Sequence, residues 1–213
     1  MKCLAVNTAN TLLTLALVSD GRVLHAYETT ETRDQGNLLL QHAQKALDQA
    51  GLRYGDLDLL AVVTGPGSFT GIRIGLATMR ALAMAAQVPV MGVSSFELYA
   101  AQREGHANII VIESWREELY FQVNDAFGKP VAAPVNLSPE DFLATLRDIP
   151  GPFLLSGDAV DKMVAVLPGA ARNDGQVTAA DAARIASAKF AAAGAGERPV
   201  PFYLREADVT IAK

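Results

Sequence analysis

The sequence predicts an α/β protein with two lobes, each a mixed β-sheet with helices packed on it. Three observations lead to this class. Hydrophobic residues make up 50% of the 213 residues and charged residues 19%, which is typical of a chain that folds around a core. Three short strand patterns open the chain and are followed by helices that alternate with strands. The same order begins again near residue 104, which predicts lobes at residues 1–103 and 104–213.

A strand meander is predicted at the start of the first lobe. Apolar or alternating patterns mark its three strands, and Ser19-Asp20-Gly21 is a strong turn signal. The predicted strands cover residues 3–7, 12–18 and 22–30. Helical spacing of apolar residues then predicts a helix over 37–50, with Asn37 as its N-cap and Gly51 as its stop.

The rest of the first lobe alternates strand and helix. A continuous apolar run predicts a buried strand over 59–64. A glycine-rich loop follows it and leads into a helix over 72–86. A strand over 89–93 and a helix over 95–103, capped by Ser94, complete the lobe.

The second lobe repeats this order with shorter patterns. Strands are predicted over 108–112, 118–124, 129–135 and 153–156. Pro130 indicates an edge strand, because proline cannot donate to a ladder. Ser138 followed by Pro139 predicts the start of a helix. Further helices are predicted over 159–167 and 179–193, with a Gly/Pro-bearing linker at 194–201 leading into a tail.

Charge and cysteine content exclude several classes. The formal net charge is −5, and no long run of Lys or Arg occurs, so independent binding to nucleic acid or to an anionic membrane is disfavoured. Cys3 is the only cysteine, which excludes an intramolecular disulfide and a multi-cysteine metal site. We interpret Cys3 as a small buried hydrophobe. No signal-peptide pattern and no apolar run of about 18 residues occurs, so we expect a cytoplasmic location.

The glycine-rich loop carries the most information. Residues 65–75 contain four glycines and one proline between a buried strand and a helix, a position where backbone N–H groups can bind phosphate. The segment has neither the Gly-Lys-Ser/Thr of a Walker A motif nor the spacing of a dinucleotide fingerprint. A tight turn capped by Thr70 is the alternative. The candidate residues of a vestigial phosphate loop are Asn7, Thr8, Gly65, Gly67, Ser68, Thr70 and Gly71.

Other polar residues give no catalytic or metal site. A neutral amide at Asn7, on the first turn, cannot act as a base or hold Mg²⁺ through a carboxylate. His25, His42 and His106 lack metal-ligand spacing. The acidic segment 113–118 is either a polar site at a cleft or a solvated hairpin tip.

The helix over 72–86 is apolar nearly all round. Such a helix needs cover on more than one side. The second cover is either the neighbouring helix over 37–50 or a partner chain. The candidate partner contacts are Leu39, Ala43, Ile72, Leu76, Met79, Arg80 and Ala83.

The segment Gly-Pro-Gly-Ser-Phe-Thr-Gly-Ile-Arg-Ile-Gly at 65–75 resembles the signature of the TsaB family, also called YeaZ. The opening Cys3-Leu-Ala-Val-Asn-Thr8, the turn Ser156-Gly-Asp158 and the late Pro201-Phe-Tyr-Leu-Arg205 fit that family in the same order. The resemblance covers essentially the whole chain, and the eleven-residue signature is its specific part.

The resemblance implies an actin-like ATPase fold and a non-catalytic relative of TsaD, the subunit that transfers the threonylcarbamoyl group to tRNA. The modified adenosine lies beside the anticodon of tRNAs that read codons beginning with A. The family pairs with TsaD through helices of the first lobe and works with TsaE, an ATPase. It forms homodimers through the same helices when alone. We therefore expect ATP and Mg²⁺ to bind only in the complex, and tRNA to be contacted mainly through the partners.

The sequence departs from the family pattern at three places. Asn7 stands where the family usually has Asp, Gln35-Gly36 where it often has His-Ser, and Glu113-Ser-Trp-Arg116 where many members have Asp-Ala-Arg. These differences argue against a residual nucleotide role and leave a scaffold role intact. The alternative function is a small-molecule kinase or an acyl or carbamoyl transferase of the same superfamily.

Overall fold

The computed structural model describes residues 1–31, 33–101, 107–147 and 152–204. The predicted boundary between residues 103 and 104, the end of the predicted helix at 103, His106 and Arg205 lie outside these ranges. Within them, no helix has both the length and the apolar character that crossing a bilayer requires.

The first lobe follows the predicted order. Its strands are β1 (Lys2–Asn7), β2 (Leu13–Ser19), β3 (Arg22–Thr29), β4 (Leu59–Val63) and β5 (Val90–Val93). Its helices are α1 (Gln35–Ala50), α2 (Phe69–Ala86) and α3 (Ser95–Ala100). A single 3₁₀ turn, which the sequence analysis missed, lies at Tyr54–Asp56.

The second lobe has the same kinds of element. Its strands are β6 (Asn108–Ile112), β7 (Leu119–Asn124), β8 (Val135–Leu137), β9 (Leu154–Ser156) and β10 (Ala171–Arg172). Its helices are α4 (Pro139–Thr145) and α5 (Val160–Val164), and α6 (Ala179–Ala193) follows them.

The two sheets have the same topology. The strand order is β3-β2-β1-β4-β5 in the first and β8-β7-β6-β9-β10 in the second. In each sheet three strands form an antiparallel meander, and the first of them pairs in parallel with a strand that follows a helix. The duplicated α/β architecture is therefore confirmed.

Helices cover both faces of the first sheet. α1 and α2 pack side by side on one face, and α6 packs on the other. Because β1 and β4 are covered on both sides, their residues Cys3, Leu4, Leu59 and Leu60 are all fully buried. Burial also raises the pKa of the Cys3 thiol to about 12, which confirms the interpretation of Cys3 as a buried hydrophobe.

The helix α6 connects the two halves of the chain. It was predicted as part of the lobe at 104–213, but it lies against β1, β2, β4 and β5 of the first sheet. Alanines on its inner face permit close approach to the strands, and Ala179 N–H donates to Thr14 Oγ1 at 2.8 Å. The segment after α6, residues 194–204, then passes the edge of β5, where Phe202 N–H donates to the carbonyl of Thr64. We call residues 194–204 the strap.

Two predicted helix caps are wrong. α1 begins at Gln35 after Asp34, and Asn37 lies inside the helix, where its amide donates to Asp34 Oδ1 at 2.6 Å. α2 begins at Phe69 and is capped by Ser68, whose hydroxyl accepts from Gly71 N–H. Thr70 lies in the first turn of α2. The apolar periodicity placed both starts too late because the first turns carry Gln35, Gly36, Thr70 and Gly71, which do not continue the buried apolar stripe.

The predicted strand over 129–135 is also wrong. Asp125 Oδ1 accepts N–H bonds from Phe127 and Lys129, so this segment is a turn. Pro130 forms only an isolated bridge with Asn124, and β8 begins five residues later. Proline lacks the N–H that a ladder needs, so it interrupts the pairing here. The two-residue strand β10 was not predicted because so short a strand carries no periodicity.

Candidate functional site

The glycine-rich segment 65–75 lies against the turn that joins β1 to β2. Ser68 N–H donates to the carbonyl of Ala9 at 2.7 Å. The hydroxyl of Thr8 donates to the carbonyl of Gly71, also at 2.7 Å. The start of α2 is therefore bonded directly to the turn where this fold would place a phosphate.

Three glycines make this close approach sterically possible. A Cβ on Gly67 would lie 2.0 Å from the carbonyl oxygen of Ala9, and one on Gly71 would lie 1.8 Å from that of Thr8. A Cβ on Gly75 would lie 2.4 Å from Thr8 Oγ1. Gly67 also has a φ of +150°, which disfavours other residues. Gly67 and Gly71 thus serve a backbone-to-backbone contact within the chain, and Gly75 leaves room for the side chain of Thr8.

Several backbone groups of this loop have partners inside the protein. Gly71 N–H donates to Ser68 Oγ, and Ile72 N–H donates to the carbonyl of Ser68. On the other side, Ser95 bonds to the carbonyls of Gly65 and Pro66. The N–H groups of Ser68, Gly71 and Ile72 are therefore used within the chain, and the loop is in direct contact with the turn after β1.

Asn7 uses both ends of its side-chain amide to brace the same turn. Its Oδ1 accepts from Ala9 N–H at 3.0 Å, and its Nδ2 donates to Asn10 Oδ1 at 3.0 Å. A carboxylate at this position could not donate to Asn10. Asn7 is 1% exposed, so its role in this chain is to hold the turn.

Asp158 ties this turn to the second lobe, and the sequence analysis did not assign it that role. Its Oδ1 accepts from Glu113 N–H at 2.8 Å, and its Oδ2 accepts from the amide of Asn10 at 3.2 Å. Thr11 N–H also donates to it. Desolvation raises the pKa of Asp158, while these bonds act in the opposite direction. One enclosed carboxylate thus links a loop of each lobe to the end of β9.

The adjacent Gly157 was the one feature in the sequence that could have indicated this contact. A Cβ on Gly157 would lie 1.9 Å from the carbonyl oxygen of Val111, so only glycine brings Asp158 this close to β6. The sequence separates Asp158 from Asn10 by 148 residues, and no local pattern can indicate such a pair.

A cleft of about 320 Å³ opens beside Asp158, between the two lobes. Arg172 at its rim is paired with Asp161 at 2.8 Å and with Asp174 at 2.7 Å. The buried hydroxyl of Tyr99 also lines it, and burial, with Asp158 as a second cause, raises the pKa of Tyr99. Asp158, Asp161 and Asp174 line the cleft together with Arg172.

We expect Asp158→Asn to lower the free energy of unfolding by about 2 kcal/mol. The new NH₂ group must face an N–H donor of either Glu113 or the Asn10–Thr11 turn, so one bond is replaced by a repulsion. Urea unfolding measures the loss, and hydrogen exchange at the Thr11 and Glu113 amides locates it. Asp161→Asn, which changes an exposed carboxylate nearby, should change stability by less than about 0.5 kcal/mol. If both amides were as well protected in Asp158→Asn as in the wild type, the assigned link would be contradicted.

The acidic segment 113–118 fits both of its predicted interpretations in part. Glu113 lies at the cleft, with its side chain 13% exposed and its Oε2 2.7 Å from Lys162 Nζ. Trp115 is 52% exposed, and Glu117 and Glu118 are also exposed, as expected of a solvated tip.

The histidines that lack metal-ligand spacing in the sequence also make ordinary contacts in the structure: His25 contacts Gln49, and His42 stacks on Tyr27. Across the described residues, no group of three or more His, Cys, Asp or Glu side chains could hold a metal ion.

Most of the predicted partner contacts lie inside the protein, which corrects their assignment. Leu39, Ala43, Ile72, Leu76 and Met79 are each at most 3% exposed, because α1 and α2 turn these stripes toward the first sheet. Arg80 donates to the carbonyl of Pro199 in the strap, and Ala83 is half-buried against the core. The apolar stripe was recognised correctly, but it faces the sheet.

Other residues of α1 and α2 face the solvent. Met84 is 71% exposed and Leu40 is 45% exposed. Ala77, Ala81 and Ala85 of α2 are exposed as well. We call these five residues the outer helix face. These five residues are apolar, and they share the exposed surface of the two helices with Lys45 and Asp48 of α1 and with Arg73 of α2.

Comparison with known proteins identifies a family model and a curated relative that match this chain. A family model described as TsaD, tRNA N6-adenosine threonylcarbamoyltransferase, matches residues 30–145, more than half of the chain. The tRNA threonylcarbamoyladenosine biosynthesis protein TsaB of Bacillus subtilis strain 168 is 28% identical over 162 residues, which cover 74% of this chain and 71% of that protein.

Solved structures share the fold. A Pseudomonas aeruginosa protein described as similar to the peptidase YEAZ superposes with a TM-score of 0.77 at 24% identity, over 96% of this chain and 99% of that one. The activator of the 2-hydroxyisocaproyl-CoA dehydratase from Clostridium difficile, with bound ADPNP, has a TM-score of 0.53 at 10% identity, over 89% and 95% of the two chains.

The duplicated sheets define a protein of the actin-like ATPase fold, and in this chain the glycine-rich loop lies directly against the turn after β1. Together with the family model and the curated relative, the signature at 65–75 identifies the group within that fold. The chain belongs to the TsaB (YeaZ) family, one of the relatives of TsaD.

Proposed function

We propose that this chain is a non-catalytic subunit in the biosynthesis of threonylcarbamoyladenosine in tRNA. The description of its Bacillus subtilis relative names the same process. It acts through TsaD, which carries out the transfer, and through TsaE. The product is the modified adenosine beside the anticodon of tRNAs that read codons beginning with A. Membership of the TsaB family supports this assignment.

The contact between the glycine-rich loop and the first turn carries the non-catalytic part of the proposal. Gly67 and Gly71 bring α2 against Ala9 and Thr8, and this direct contact supports a turn that does not hold a phosphate in the isolated chain. The closed turn therefore acts as a rigid support for α2. In this proposal ATP and Mg²⁺ bind only in the complex with TsaD and TsaE.

The outer helix face supports the choice of a protein partner. Ala77, Ala81, Met84 and Ala85 follow one side of α2 at helical spacing and are all exposed, and an exposed apolar patch often marks an interaction site. TsaD occupies this face in the complex, and a second copy of the chain occupies it when TsaD is absent. The net charge of −5 supports the view that tRNA is contacted mainly through the partners.

Reconstitution of tRNA threonylcarbamoylation tests the proposal. TsaD, TsaE, ATP and a threonylcarbamoyl donor are incubated with unmodified tRNA, with and without this chain, and the modified nucleoside is measured by mass spectrometry. We expect modification only when the chain is present, and none with the chain alone. Equal modification without the chain would refute a subunit role.

A second measurement separates the scaffold from an enzyme of the same fold. Calorimetry of the isolated chain with Mg-ATP should give no saturable binding in the micromolar range and no hydrolysis. Turnover by the isolated chain would instead favour the kinase or transferase alternative.

A further inference from the structure

Two segments that lie far apart in the sequence meet at one exposed point of the surface. Phe69 and Arg73 belong to the signature at the start of α2, and Tyr203 belongs to the strap, 130 residues away from Arg73. All three side chains are exposed, with Phe69 at 42% and Tyr203 at 39%. We call these three residues the arginine clamp.

The clamp holds the guanidinium group of Arg73 in one position. Its central carbon lies 3.7 Å above the centre of the Phe69 ring. Its Nε donates to the hydroxyl of Tyr203 at 3.1 Å, and the rings of Phe69 and Tyr203 are 5.3 Å apart. The face of the guanidinium and its Nε are therefore occupied by two aromatic residues.

The other edge of the guanidinium group remains available. In the described part of the chain, neither terminal nitrogen of Arg73 makes a hydrogen bond or an ion pair. No acidic residue occurs between Asp58 and Glu97, so α2 itself supplies no carboxylate. A planar arginine edge with two parallel N–H groups matches a carboxylate, which it binds with two hydrogen bonds.

We propose that the arginine clamp is a carboxylate-binding site that anchors an Asp or Glu side chain of the protein partner docked on α2. The proposal rests on the partner role described above. Arg73, Ala77 and Ala81 follow one another at intervals of four residues, so the clamp continues the outer helix face toward the start of α2. Because the guanidinium is already ordered, binding loses less side-chain entropy than at a free arginine. Tyr and Arg are also the residue types enriched at the energetic centres of interfaces.

A protein carboxylate fits the clamp better than an RNA phosphate. Retention of RNA needs several phosphate contacts on one surface. On α2 the second arginine, Arg80, donates to the carbonyl of Pro199 through Nε and one terminal nitrogen, so among the described residues of this helix only Arg73 keeps both terminal nitrogens available for a bidentate contact. One fixed arginine beside an apolar face suits one acidic side chain.

The first test uses the isolated chain. The Nε–H resonances of the arginines are followed by NMR during titration with sodium acetate and, separately, with inorganic phosphate, at constant ionic strength. Arg22 is the control, an exposed arginine on the edge strand β3. We expect acetate to shift Arg73 about threefold more than Arg22, and Tyr203→Phe to remove most of that difference. Equal shifts at Arg73 and Arg22 would overturn the site.

The second test uses the complex. Affinity for TsaD is measured for Arg73→Lys and Tyr203→Phe, with Arg22→Lys as the control. We expect a loss of about tenfold for Arg73→Lys and about threefold for Tyr203→Phe, with unchanged melting temperatures. A purely structural role of the clamp would lower the melting temperature and leave the affinity unchanged, and that result would overturn the proposal.

The outcomes separate this inference from the proposed function. If modification depends on the chain but Arg73→Lys binds TsaD like the wild type, the anchor is wrong and the subunit role stands. If modification is independent of the chain, the subunit role fails, and so does the partner assignment of the clamp. A preference of Arg73 for phosphate over acetate, together with retention of tRNA that Arg73→Gln abolishes, would replace the protein partner by RNA.

Discussion

Gly71→Ala is expected to lower the free energy of unfolding by about 3 kcal/mol or more, enough to lower the melting temperature by about 10 °C. The new Cβ would lie 1.8 Å from the carbonyl oxygen of Thr8, which is backbone and cannot turn away. The start of α2 must therefore move off the first turn. That movement also breaks the hydrogen bond from Thr8 Oγ1 to the carbonyl of Gly71 and the bond from Ser68 N–H to Ala9. Urea unfolding followed by circular dichroism measures the loss.

Two further substitutions make this result specific. Gly36→Ala is the matched control, since Gly36 also lies near the start of a helix, and a Cβ there would meet only Ile74 Cγ2 at 4.0 Å. It should change stability by less than about 1 kcal/mol. In Gly75→Ala the blocking atom is Thr8 Oγ1, so adding Thr8→Ala should recover part of the loss. The same addition should not rescue Gly71→Ala. Stability of Gly71→Ala close to that of Gly36→Ala would show that the two loops are not in fixed contact.

The same glycines show what the sequence could and could not predict. Their spacing predicted a strand-to-helix loop at 65–71, and a loop is present there, but it ends at Ser68 because α2 begins at Phe69. A pattern of glycines does not distinguish a loop that leaves room for phosphate from one that leaves room for another backbone. The partner of this loop is the turn at Thr8 and Ala9, about sixty residues earlier, so the difference depends on tertiary structure.

Periodicity predicted the helices themselves reliably, but it did not predict which part of the protein each helix packs against. It predicted α6 over 179–193 with the correct ends, but it could not indicate that this helix lies on the first sheet. The stripe of Ile72, Leu76 and Met79 was likewise recognised as apolar, yet a sequence does not show which of two apolar faces meets the sheet. The exposed Met84 identifies the outer face only once α2 is placed.

For the proposed docking of TsaD on the outer helix face, Ala81→Glu and Met84→Glu are each expected to weaken the binding by on the order of 100-fold or more. They should also prevent self-association of the isolated chain. Both residues are exposed in the single chain, so a charge there is solvated and the fold survives. In the complex the same charge would be buried in an apolar contact without a partner, which carries a large desolvation penalty. Affinity measurements with TsaD and sedimentation of the isolated chain give the two readouts.

The control variants separate an interface effect from a loss of folding. Ala188→Glu introduces the same charge at an exposed alanine of α6 and should leave both readouts unchanged. Met79→Glu places the charge at a residue that is 1% exposed in the core, so it should unfold the protein rather than test the interface. If Ala81→Glu and Met84→Glu both fold, still self-associate and still bind TsaD with unchanged affinity, the outer helix face is not the contact. The partner would then have to bind a different surface of the chain.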